Sequence, residues 1–268
     1  MKLNVSASLT YRFAGPTWVI AAIEAAHSPD QAVLSEELWI TSGPALIRDT
    51  DSATGEHRFR TALEGQVGIN YRAVIDNGQR PLLGPDARQH DWAELPREVL
   101  PYLLPSRFCP SDEFMRFAQR EFRSVQGGGT RVLAIIDWLN SHLDYVHGVS
   151  SAKTTAEHTF IDRAGVCRDF SHLGITLARA LNIPARAVSA YAHALKPPDF
   201  HAVFEVYLDG RWWLLDPTRL APVEGMVRIA SGRDAADIAF LTSEYNCQCL
   251  SQTITVTRVP DEAETRAA

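Results

Sequence analysis

Leu3, Val5, Ala7, Leu9, Tyr11 and Phe13 alternate with Lys2, Asn4, Ser6, Ser8, Thr10 and Arg12. A period of two over so long a stretch excludes a helix, which would scatter the apolar groups around its circumference, and describes a strand with one buried face. Further strands are expected at 18–25, 33–40, 58–63 and 66–75, separated by the turn signals Ser42-Gly43-Pro44 and Asn77-Gly78. The 18–25 segment also admits a helical reading. Residues 1–80 therefore read as an N-terminal antiparallel β domain. His27, His57 and His90 are scattered and form no visible catalytic grouping.

A chain of 268 residues is long enough for two ordinary domains. Its 46% hydrophobic and 22% charged residues exclude a disordered, collagen-like or coiled-coil chain. The net charge of −6, with no Lys/Arg run, gives no reason to expect a nucleic-acid partner. Residues 1–13 lack the apolar core of a signal peptide, and no window holds 18 uncharged apolar residues, so neither export nor a membrane partner is expected. Cys109, Cys167, Cys247 and Cys249 form no CxxC pair in a chain too large to need disulfides. They read as reduced thiols in a cytoplasmic protein.

Six prolines between Pro81 and Pro110 mark residues 81–110 as a linker. Beyond it lies a catalytic core expected over 111–260, then a loose tail at 261–268. Ser111 can cap a helix through Val125, and Gly127 to Gly129 interrupt it. Val132, Ile135, Ile136, Leu139 and Leu143 then recur at helical spacing. Thr154 and Glu157 have the spacing of a capping box for a short helix ending near Arg163.

From Phe170, the residues Leu173, Gly174, Leu177, Ala178 and Leu181 mark one face of a helix that stops before Pro184. Cys167 falls in its first turn, where free amides and the positive dipole end favour a thiolate. A buried structural cysteine is the plainer reading of that position alone. The segment His201 to Leu208, the pair Asp209-Gly210 and the segment Arg211 to Asp216 read as strand, hairpin turn and strand. If Leu208 faces Arg211, partner numbers sum to 419 throughout, and His201 and Asp216 become diagonal neighbours on one face. Such diagonals have roughly 7 to 8 Å between Cα atoms, within reach of an imidazole and a carboxylate. A nucleophile, a base and an orienting acid are thus brought together on paper, the arrangement that activates a thiol for acyl transfer. Trp212 and Trp213 stand close by to exclude water and are the candidate substrate-binding residues.

Three blocks carry a likeness to known proteins: Gly165-Val166-Cys167-Arg168-Asp169-Phe170-Ser171-His172-Leu173, then His201-Ala202-Val203-Phe204-Glu205-Val206-Tyr207, then Trp212-Trp213-Leu214-Leu215-Asp216-Pro217-Thr218. With them the chain resembles the transglutaminase-like superfamily, and within it the bacterial transglutaminase-like cysteine-peptidase group with an N-terminal β domain. Gly232-Arg233-Asp234-Ala235-Ala236-Asp237 looks like a further segment of that group. The resemblance implies an α+β fold in which a papain-like core packs its Cys helix on an antiparallel sheet. It also implies Cys167 as nucleophile, His201 as base, Asp216 as orienter, and the Cys167 amide as an oxyanion donor. Animal members use a tryptophan as second donor. Trp138 reads as helical and core-facing, and the role is not carried over to it.

His172 lies about 140° around the helix from Cys167 and reads as packing. His158 and His193 are surface residues or cleft lining, and Asp169 is a local cap. Cys247 and Cys249 share a strand face but lack a matched second pair, so no metal and no cofactor are expected. The function expected is a thiol-dependent amide or peptide hydrolase acting on a peptide or amide substrate. Glutamine transamidation and an inactive peptide-binding module share the same fold as alternatives.

Overall fold

The computed structural model describes residues 1–41 and 43–260; Ser42 of the expected turn and the tail 261–268 lie outside them. The opening alternation forms strand β1 (Lys2–Ala21), longer than expected because residues 18–21 of the expected 18–25 strand continue it, while 22–25 lie beyond its end. Its register against β4 shifts between Phe13 and Thr17. Pro16, which cannot donate to a ladder, falls in that bulge. The expected pair of strands 58–63 and 66–75 is likewise one strand, β4 (His57–Asp76), preceded by β2 (Ala32–Ile40) and β3 (Ile47–Thr50). The buried face predicted at the N-terminus is present, with Leu3, Val5, Ala7, Leu9 and Phe13 inside.

The residues after 80 are less separate than the proline run suggests. Ala87 and Pro85 offer their carbonyls to the first amides of a helix, Gly129 N at 2.8 Å and Thr130 N at 3.0 Å. Farther on, Arg88 O accepts from Asp209 N of the hairpin turn at 3.0 Å, Arg88 N donates to the Asp209 carboxylate at 3.0 Å, and His90 Nε2 accepts from Gly210 N at 2.8 Å. The segment is a strap fastened to the core by its backbone.

Helix α1 (Met115–Glu121) is shorter than the Ser111–Val125 expectation, and α2 (Gly128–His142) begins inside the glycine run. Glycine is needed there by close approach. A Cβ on Gly128 would lie 2.7 Å from Gln89 N, and one on Gly129 would lie 2.0 Å from Gly84 O. A two-stranded parallel bridge, β5 (Asp144–Tyr145) with β6 (Ala164–Gly165), flanks α3 (Ala156–Asp162). The N-cap of α3 is Thr155, one residue later than expected, and His158 takes the place expected of Glu157 by accepting from Thr155 N at 3.2 Å.

Helix α4 (Cys167–Ala180) packs on β7 (Ala185–Ala192) and β8 (Phe200–Leu208). With β9 (Arg211–Leu215) and β10 (Met226–Gly232) these form an antiparallel sheet of order β10-β7-β8-β9. The last strands, β11 (Leu241–Ser243) and β12 (Cys247–Arg258), do not stay with this core, although 111–260 reads as one unit in sequence. Both pair with β1 and complete the first sheet. The physical reason is an edge: without them β1 would present an unpaired ladder to solvent. The two sheets share one apolar core, where Tyr71 stacks on Tyr191 at 6.2 Å and the Tyr191 hydroxyl donates to Ile23 O at 2.6 Å. Among the described residues no helix is long and apolar enough to cross a membrane.

Candidate active site

Cys167 opens α4, and the turn before it explains the sequence around it. Val166 is extended and has no side-chain acceptor to offer, so Asp169, three residues on, reaches back and accepts from Val166 N at 2.8 Å. Arg168 braces that buried carboxylate at 3.2 Å and also donates to Ser151 O at 2.7 Å. Gly165 is obligatory for this fit, because a Cβ there would meet Asp169 Cβ at 2.6 Å. Asp169 is thus a local cap, as expected. The Cys167 amide belongs to a helix's first turn, whose N–H groups have no intrahelical acceptor. The Cys167 side chain is half-buried.

The hairpin register is the one computed from the sequence: Leu208 pairs with Arg211 and Phe204 with Leu215. Just past the ladder, His201 Nε2 lies 3.1 Å from Asp216 Oδ2, with both side chains buried. The contact is an ion pair more than a straight hydrogen bond, since neither ring nitrogen of His201 makes a well-aligned hydrogen bond. Burial opposes the imidazolium, yet Asp216 on one side and Cys167 on the other outweigh it and push the His201 pKa up to about 9. The Asp216 carboxyl is held down despite burial by His201 and Thr218. Thr218 donates to its Oδ1 twice, from N at 2.9 Å and Oγ1 at 2.6 Å, and Ala221 N donates to Oδ2 at 3.0 Å. These bonds fix the carboxylate so that it in turn fixes the ring.

Tyr145 was not singled out in the sequence. The β5–β6 bridge pairs it with Gly165, and its ring packs 5.9 Å from Phe170 on α4. Its phenol stands beside the Cys167 amide and thiol. Burial, then the neighbouring thiol, drive its pKa upward. No short-range motif announces this contact, because 21 residues, a helix among them, separate Tyr145 from Cys167 in the chain.

The two candidate substrate-binding indoles are engaged elsewhere. Trp212 meets Tyr102 and Tyr207 edge-on at 5.2 and 5.3 Å, under the Arg186 guanidinium at 4.2 Å. Four residues of strand, about 13 Å, separate it from Asp216. Trp213 turns to the other face and donates from Nε1 to Leu208 O at 3.0 Å. His172 is core, stacked on Phe108 at 5.2 Å, accepting from Ala235 N at 3.1 Å, and depressed to about 4 by burial. The Gly232–Asp237 segment thereby docks on the back of α4. His193 Nδ1 lies 3.3 Å from Val256 O on β12, and His158 caps α3. Trp138 is buried against His142 and Phe160. Cys109 is fully buried, and that burial pushes its thiol up to about 12. A concavity of about 680 Å³ lies on the first sheet beside Ser6, Glu37 and Arg72, and its lining holds neither a cysteine nor a histidine.

Residues 116–217 match the transglutaminase-like superfamily, and residues 1–86 match the bacterial transglutaminase N-terminal domain. The crystal structure of a candidate cysteine protease from Cytophaga hutchinsonii is 35% identical, with a TM-score of 0.90 over 98% of this chain and 92% of that one. An uncharacterised protein of Mycobacterium leprae is 27% identical over 181 residues, 61% of this chain. The matched stretch spans 63% of that relative's length.

Proposed function

Because the chain belongs to the transglutaminase-like superfamily, we propose that it is a thiol-dependent amide or peptide hydrolase working through Cys167, His201 and Asp216. The observation that carries this reading is His201 buried between a carboxylate 3.1 Å away and the thiol at the start of α4. In the proposed cycle the Cys167 thiolate attacks the amide carbonyl carbon. The oxyanion is received by the Cys167 amide and the Tyr145 hydroxyl. His201, as imidazolium, gives its proton to the leaving amine, which departs and leaves a thioester. The now neutral His201 takes a proton from water, whose oxygen attacks the thioester. Acid release then restores the thiolate and imidazolium, while Asp216 holds the ring throughout.

Hydrolysis is favoured over transamidation by the engagement of Trp212 and Trp213. Transamidation needs walls that strip water from a lysine-like amine. The two indoles that could build them are packed away from Asp216. The test supplies a glutamine-containing peptide with a fluorescent primary amine, alongside an iodoacetamide probe near neutral pH. Selective labelling of Cys167 with release of ammonia or cleaved peptide is expected. Stable Cys167-dependent amine incorporation exceeding release establishes the transamidase, and unreactive Cys167 with retained peptide binding establishes a binding module.

A further inference from the structure

His27, Glu36 and His57 come from three segments of the first sheet: the turn after β1, the middle of β2 and the first residue of β4. In the fold their ligand atoms all lie within 4.8 Å of one another. His27 Nε2 is 3.1 Å from Glu36 Oε1, and the two imidazoles meet edge to face at 4.7 Å. A His27–Glu36 ion pair alone would leave one thing unexplained. His57 Nε2 is buried with no hydrogen-bond partner. Thr50 Oγ1 lies 3.0 Å from the other nitrogen, and the tautomer in which Nδ1–H donates to Thr50 leaves Nε2 a bare lone pair within the cluster.

The surroundings hold these side chains in place. The Tyr71 hydroxyl donates to Glu36 Oε2 at 2.8 Å and itself accepts from Ala25 N at 3.0 Å. His27 N donates to Gly55 O at 2.9 Å. Gly55, at φ +69°, permits that approach, since a Cβ there would lie 1.7 Å from His27 O. Thr50 pairs with His57 across the β3–β4 ladder.

We propose that His27, Glu36 and His57 form a binding site for one divalent transition-metal ion of the zinc class. Two imidazole nitrogens and one carboxylate oxygen are a three-ligand zinc set with a fourth position for water. Tyr71 and Thr50 supply the outer hydrogen bonds that orient such ligands. Calcium and magnesium, which seek oxygen donors, fit this set poorly. The ion would fasten the turn after β1 to β2 and β4. It is independent of the Cys167 chemistry.

The test uses the full chain carrying Cys167→Ala, so that its thiol cannot capture the ion. Equilibrium dialysis with zinc should give one bound ion at micromolar concentration, and zinc should raise the thermal midpoint. Cobalt should bind with visible tetrahedral bands and no thiolate charge-transfer band in the near ultraviolet. Both His57→Ala and the isosteric Glu36→Gln should lose that ion and the thermal shift while melting, metal-free, as the parent does. Tyr71→Phe should weaken binding about 10- to 100-fold. Absence of zinc binding, a cobalt–thiolate band, or binding unchanged in both ligand variants would each overturn the proposal.

Discussion

His201 is a buried side chain held as a cation, and only its neighbours make that tolerable. Burial by itself would drive its pKa below 6.5; Asp216 and Cys167 reverse the sign and take it to about 9. The stability contributed by this arrangement is fully present below pH 6.5 and is lost as pH rises through 9. Asp216→Asn removes the strongest of the raising influences, so the alkaline limb of the activity profile should move down from near pH 9. Turnover should fall about 10²- to 10⁴-fold. A pH–rate profile of the variant checks both; an unmoved limb would separate Asp216 from the base. Tyr145→Phe keeps the ring against Phe170 and deletes the hydroxyl. If that hydroxyl is an oxyanion donor, kcat should fall roughly 10²-fold or more with KM little changed. Equal loss in peptide binding would assign Tyr145 to substrate contact instead.

At the scale of elements, the start of α2 shows how a glycine run serves packing as well as flexibility. Gly128 and Gly129 let residues 84–89 cross the helix end closely enough to cap it. Gly129→Ala would set a Cβ 2.0 Å from the Gly84 carbonyl oxygen, with backbone on both sides and no flexible side chain to yield. The strap must then lift, and the loss of stability should be about 1–3 kcal/mol. A urea melt measures that loss, and limited proteolysis should cut the variant first within 81–110. Cleavage unchanged from the parent would mean the helix end moves instead.

Across the whole molecule, a buried ionic chain joins the two sheets. Glu205 on β8 is bound by Arg186 at 2.7 Å and Arg228 at 2.6 Å, and Arg228 reaches Asp30, in the turn before β2, at 2.6 Å. Gln31 doubles the link by exchanging bonds with the Arg228 backbone, at 2.7 and 2.9 Å. Replacing one member leaves its partners charged and buried, so Glu205→Gln should cost about 3–5 kcal/mol at pH 7. Burial raises both carboxyl pKa values, but the arginines win: Glu205 is lowered, and Asp30 is lowered to about 2. Their contribution is therefore fully present above about pH 4.5 and is lost as pH falls through the folded values. Denaturation between pH 7 and pH 2 should show that loss in the wild type and a shallower slope in Glu205→Gln. Parallel slopes would remove these carboxylates from the acid response.

Near neighbours in the chain were legible before any fold was seen. The period-two face of β1, the Asp209-Gly210 hairpin with His201 and Asp216 on one side, and Cys167 at a helix start all follow from geometry repeating every two or 3.6 residues. That geometry acts within a turn or a strand pair, so the sequence alone carries it. Other features join residues far apart in the chain: β12 against β1, Tyr145 against Cys167, His27 beside His57, and Asp30 tied to Glu205. Whole faces and edges must be covered at once for such pairs to form, and no local period records which distant segment covers which face. Only the tertiary structure decided them, because burial is a property of the assembled surface and not of any stretch of chain.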